Sequence, residues 1–201
     1  MICIYKMSCI LKEKYETPVE DLSSEHGLLN RILLIYDEFI NRYRIGKKIA
    51  LKDVNEMARI VRDFIENYHE KNEEKYIFPV VMRCKELRPM VKELLKQHRV
   101  GRKYTSNILK YSESVKGGDM KKMVENIEKF TYMYRAHESR EDTVIFRAFH
   151  MLSKEGNYKK LGKKMENVEE EKFGGKDYND FLLKIIKVEK RLGIYKLEHY
   201  T

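Results

Sequence analysis

Two short segments of this 201-residue chain repeat one arrangement of metal-binding side chains: HEKNEEKYIFP, starting at His69, and HESREDTVIFR, starting at His137. The offset is 68 residues, and at that offset His, Glu, Glu, Ile and Phe agree, with Glu74 answered by Asp142. In each segment a His is followed four residues later by a Glu: His69 with Glu73, and His137 with Glu141. Residues four apart on a helix stand one above the other, so each pair makes a two-ligand face. Neutral imidazole suits iron, zinc, copper and nickel, while carboxylates suit harder ions and can bridge two of them. Two further His, His26 and His98, interrupt apolar stripes elsewhere. Four His and two Glu that face one interior need a shared explanation, because an unpartnered buried carboxylate costs several kcal/mol. Two metal ions, each with two imidazoles and both sharing the two carboxylates, would supply it.

The elements that must position these residues are long helices. Breakers at Pro18, Gly46, Pro79 with Pro89, Gly117–Gly118, Gly156 and Gly174–Gly175 divide the chain. Between them the spacing predicts helices near 20–45, 50–83, 89–115 and 119–151, with two weaker ones near 157–172 and 176–193. No alternating strand pattern competes. Apolar stripes run along Leu22, Leu29, Leu33, Tyr36 and Ile40; along Val91, Leu94, Leu95, Ile108 and Leu109; and along Phe130, Met133, Tyr134, Val144, Ile145 and Ala148. The expected fold is all-α, an up-down antiparallel four-helix bundle with additional C-terminal helices. The expected organisation is an N-terminal segment at 1–17, the bundle at 18–152, and a helical extension packed on it at 153–201.

Composition narrows the function classes. No run approaches the roughly 20 apolar residues of a membrane span, and the start MICIYKMSCILKEKYE does not read as a signal peptide. Three Cys (Cys3, Cys9 and Cys84) argue against a disulfide framework and for a reducing, cytoplasmic setting. The net charge of +9 is spread among interleaved Glu and Asp, without a nucleic-acid motif.

The stretch from Pro18 to about Phe149 resembles the hemerythrin-like, HHE cation-binding family. The likeness is carried by PVEDLSSEHG, the paired HxxxE segments ending in IFP and IFR, and His98 in KQHRVGR. It implies a non-haem di-iron centre, oxo- or hydroxo-bridged, held by His26, His69, Glu73, His98, His137 and Glu141, with both Glu bridging. Other divalent metals could take the same ligands. Oxygen-carrying members have a second His four residues from the third-helix ligand, where this chain has Leu94 and Arg102. The four-His, two-Glu set is closer to members that repair iron centres, and to an iron-sensing domain of a ubiquitin-ligase subunit.

Glu66 could accept the free N–H of His69, and Tyr134 stands in the same relation to His137. Glu70, a ligand in the iron-sensing domain, is rotated about 100° from His69 on an ideal helix and is expected only as a possible outer neighbour of the centre, like Glu66, Arg102 and Tyr134. Arg102 could point to the cavity or to solvent, and His150 and His199 fit no position in the pattern. The expected partner is O2, NO, peroxide or iron itself, with the protein a monomer or homodimer. A reversible oxygen or iron store and a helical protein-interaction module are the alternatives.

Overall fold

The computed structural model describes residues 17–113, 119–153, 155–173 and 178–201. The Gly117–Gly118 and Gly174–Gly175 breaks, Cys3 and Cys9 lie outside the described residues. Four long helices form the body: α1 (Pro18–Arg44), α2 (51–81), α3 (Arg88–Glu113) and α4 (119–152). Two more follow, α5 (Glu155–Phe173) and α6 (Tyr178–Leu192). Among the described residues there is no strand. Each long helix packs on the next, and α4 returns to α1, closing an up-down bundle.

Local chemistry sets the ends. The Thr17 side chain accepts from the Glu20 backbone N–H, Pro18 opens α1, and Glu20 and Asp21 lie in its first turn, where carboxylates suit the helix dipole. At its other end Gly46 adopts φ 68°, a left-handed conformation that costs Gly little. Gly156, read as a break, lies inside α5; the chain leaves α4 at Ser153, whose ψ of 137° is extended.

Helices α2 and α4 are not uniform. Wider π-type turns occupy Val61–His69 and Glu73–Ile77 in α2, and Glu141–Ile145 in α4. The last two coincide under the 68-residue repeat. Their closing bonds match as well: Phe78 N–H donates to the Glu73 carbonyl, and Phe146 N–H to that of Glu141. Such bulges often mark functional sites.

The core has two apolar clusters. The larger joins α1, α2, α3, α4 and α6 through residues such as Phe39, Phe64, Ile108, Phe130 and Ile185. The smaller gathers Leu22, Phe78, Val81, Val91, Leu94, Phe146 and Phe149 with Tyr158 and Met165 of α5. On each of the four long helices the core passes from one cluster to the other at a candidate ligand. Leu22 and Leu29 flank His26, Tyr68 and Ile77 flank Glu73, Leu94 and Ile108 flank His98, and Tyr134 and Ile145 flank Glu141. Helix α6 is tied down by ion pairs as well: Arg31 with Glu189, and Arg191 with Asp53 at 2.6 Å.

Candidate metal centre

All six predicted ligands come together in the bundle interior. His26 is on α1, His69 and Glu73 on α2, His98 on α3, and His137 and Glu141 on α4, each no more than 2% exposed. Their donor atoms form two adjoining groups. One contains His26, His69, Glu73 and Glu141; the other contains His98, His137, Glu73 and Glu141. Within each group the ligand atoms lie within 4.8 Å of one another. The two imidazoles of each group face each other through Nε2, at 3.1 Å for His26 and His69 and 3.2 Å for His98 and His137. Glu73 reaches into both groups, with Oε1 at 3.5 Å from His69 Nε2 and Oε2 at 3.5 Å from His98 Nε2. Glu141 Oε2 lies 3.4 Å from His26 Nε2 and 3.1 Å from His137 Nε2.

None of the four carboxylate oxygens of Glu73 and Glu141 has a hydrogen-bond partner, although both residues are fully buried. Buried charges are normally paired or coordinate metals. The donor set therefore fits two cations bridged by two carboxylates.

Each imidazole also has an outer partner, as metal-bound His usually does. His26 Nδ1 is 3.1 Å from Asp142, His69 Nδ1 2.6 Å from Glu25, His98 Nδ1 3.1 Å from Glu74, and His137 Nδ1 2.9 Å from Gln97. These partners obey the same pseudo-twofold as the ligands. Glu74 and Asp142 each follow a candidate bridging Glu, and Glu25 and Gln97 each precede the His of α1 or α3. The repeat also explains its Phe. Phe146 stacks on His26 at 5.3 Å between ring centres, and Phe78 on His98 at 5.5 Å.

The neighbours expected from sequence are arranged differently. Glu66 is buried but does not partner His69, whose outer nitrogen is taken by Glu25; Glu66 lies 3.1 Å from Arg62. Tyr134 does not accept from His137. It donates to Glu70 Oε1 at 2.5 Å, with its ring 5.3 Å from that of His137. Glu70 points inward, 1% exposed, with Oε2 3.9 Å from His98 Nδ1. Arg102 resolves toward the interior, bonding Glu70 and Glu74 at 2.6 Å each. Gly101 makes the Tyr134 contact possible, since a Cβ there would lie 2.3 Å from the hydroxyl. Glu25, Gln97 and Gly101 had no part in the sequence reading, and Glu74, Asp142 and Glu138 entered it only as positions of the repeat, without a role. Their signal was adjacency to a candidate ligand and the repeat offset. His150 and His199 are exposed and stay outside the centre.

The cluster shifts its own protonation. Burial disfavours charge on His26, yet its hydrogen bond with Asp142 and the nearby Glu141 carboxylate raise its pKa to about 10. Burial likewise opposes charge on His69, and Glu73 and Glu25 still hold it well above the usual range. His98 is lowered, chiefly by burial. Burial disfavours the ionised forms of Glu141 and Glu74, yet both lie well below the usual carboxylate range. His137 and His26 act on Glu141, and His98, Lys71 and Arg102 on Glu74. Burial pushes Glu138 up to about 7.

Comparison with known proteins agrees with this geometry. The model of the hemerythrin HHE cation-binding domain matches residues 17–170. Proteins described only as uncharacterised from Mycobacterium bovis and Mycobacterium tuberculosis are each 34% identical over 192 residues, covering 92% of this chain and 75% of theirs. No solved structure matches the sequence significantly. No described helix is long and apolar enough to cross a membrane. With the family model covering the whole bundle and the donor groups gathered inside it, the chain belongs to the hemerythrin HHE cation-binding domain family.

Proposed function

We propose that the protein holds two iron ions and uses them to sense, bind or react with O2, NO or peroxide, or to handle iron itself. One observation carries the reading: two groups of four converging donors share two fully buried carboxylates whose oxygens have no other partner. His26 and His69 would hold one ion, His98 and His137 the other, and Glu73 and Glu141 would bridge. Iron held there supplies one-electron chemistry and coordination positions open to a small diatomic molecule.

The chain's own residues set the rest. Asp142, Glu25, Glu74 and Gln97 fix the tautomer and ring orientation of the four imidazoles through their outer nitrogens. Phe78 and Phe146 cover two of the rings and help exclude water. Leu94, 2% exposed, puts apolar surface at one position where oxygen-carrying relatives place a further imidazole. Arg102, at the other, bonds Glu70 and Glu74. With four imidazoles instead of five, a reactive or sensing centre is favoured over a reversible oxygen carrier.

The test is metal content per chain, by plasma mass spectrometry, on protein purified without added metal or a His-tag. Two irons per chain are expected. An intact fold that contains no metal and takes up no ferrous iron would overturn the proposal. Spectra under O2 and NO, with and without reductant, then separate reactivity from storage: reversible binding marks a carrier, irreversible oxidation or iron loss a reactive centre.

A further inference from the structure

The two cation positions share Glu73 and Glu141, so any difference between them comes from the imidazoles and from what stands behind those imidazoles. Behind the His26/His69 pair stand two carboxylates, Asp142 at 3.1 Å and Glu25 at 2.6 Å. Behind the His98/His137 pair stand one hydrogen-bonded carboxylate and one amide, Glu74 at 3.1 Å and Gln97 at 2.9 Å, with a second carboxylate, Glu70, 3.9 Å from His98 Nδ1. Both carboxylates on that side are committed elsewhere: Arg102 and Lys71 each donate to Glu74 at 2.6 Å, and Arg102 and Tyr134 donate to Glu70. Asp142 accepts instead from the uncharged Ser23 hydroxyl, at 2.9 Å. Glu25 and Gln97 occupy equivalent places, each directly before the His of its helix, and Gln97 is the only Gln in the chain.

We propose that the two positions fill in order, the His26/His69 position taking the first divalent cation, and that the Glu25/Gln97 difference sets the gap between them. This inference rests on the reading that both positions hold metal. Orientation does not distinguish the two sides, because an amide oxygen accepts an imidazole N–H as a carboxylate does. Charge does distinguish them. A carboxylate behind an imidazole raises the basicity of the metal-facing nitrogen and places a formal negative charge near the ion. Proton competition works the other way, because the same carboxylates hold protons on His26 and His69 in the metal-free protein, but an outer carboxylate of this kind still raises metal affinity overall. Glu25 is 2% exposed, so solvent screens its charge little. A partly loaded protein would therefore carry its metal on α1 and α2, and the centre would be electronically lopsided when full.

The experiment is an anaerobic titration of the metal-free full chain with cobalt(II) at pH 8, followed by visible absorption and calorimetry. Two steps are expected, with dissociation constants that differ by roughly 10- to 100-fold. Glu25→Gln should weaken the tighter step by about tenfold and draw the two together. Gln97→Glu should tighten the weaker step, a gain of affinity that misfolding cannot produce. Uptake of two ions with one affinity would overturn the inference and leave the two-metal reading standing. Loss from the weaker step in Glu25→Gln, or no change in either variant, would overturn it as well. Absence of any uptake would overturn both.

Discussion

The segments that begin at His69 and His137 make a natural experiment, because one pattern is set in two surroundings. Both deliver a His and a Glu to the centre, both widen into a π turn beginning at that Glu, and both end in a Phe stacked on an imidazole from another helix. Their second residues, Glu70 and Glu138, are equivalent and both buried, yet they meet different neighbours. Glu70 accepts from Tyr134 and Arg102, through room that Gly101 provides. Glu138 has an oxygen without a partner, and burial pushes its pKa up to about 7. The repeat specifies what points inward; the helices opposite decide whether an inward charge is satisfied.

The largest effect should come from what the two segments share. Glu73→Ala or Glu141→Ala removes a donor from both groups. His26→Ala removes one from a single group, so it should retain an ion at the His98/His137 position, while the Glu variants lose most metal from both. Metal analysis per chain decides this, and equal retention in all three variants would contradict shared carboxylates.

Glu138 tests the unsatisfied side. In metal-free protein its native pKa of about 7 lies above the unfolded value near 4.3. At this group the native state thus binds more protons between those values, and its contribution to stability should fall as pH rises from about 4.5 to 7 and stay lowered above that. Glu138→Gln removes this penalty, by roughly 3 kcal/mol at pH 8 and little at pH 4.5. Urea midpoints of wild type and variant at the two pH values measure it; parallel shifts would show that Glu138 finds a partner.

Gly101 tests the satisfied side, with the opposite sign. A methyl group there would meet the Tyr134 hydroxyl at 2.3 Å. Gly101→Ala should therefore cost about 1–3 kcal/mol despite the better helix propensity of Ala, and separate Tyr134 from Glu70. Gly27, beside His26, is the control, since a Cβ there meets nothing within 4 Å. Gly27→Ala should be neutral or stabilise by roughly 0.5–1 kcal/mol. Thermal melts of both variants provide the check, and equal shifts would contradict a close approach at Gly101.

How much of this was legible in the sequence depended on whether one helix or two carried the information. The apolar stripe through Leu22, Leu29 and Leu33 is a one-helix property, and these residues are buried where the period placed them. The same holds for His69 with Glu73 and His137 with Glu141, because four residues make about one turn. The partner of His69 Nδ1 was not legible this way. Glu66 stood at the right spacing on the same helix, but Glu25 reaches the ring from α1. Glu70 was expected only as a possible outer neighbour; its partners Tyr134 and Arg102 come from other helices, which no spacing on α2 records.

The sequence by itself determined the helical fold, the repeat and the six side chains that could hold metal, because each is written in the period of a single helix. The tertiary structure alone decided which imidazoles face each other, that Glu25, Glu74, Gln97 and Asp142 stand behind them, and that Arg102 turns inward. Those facts depend on how neighbouring helices are set against one another, and no period within one helix records that.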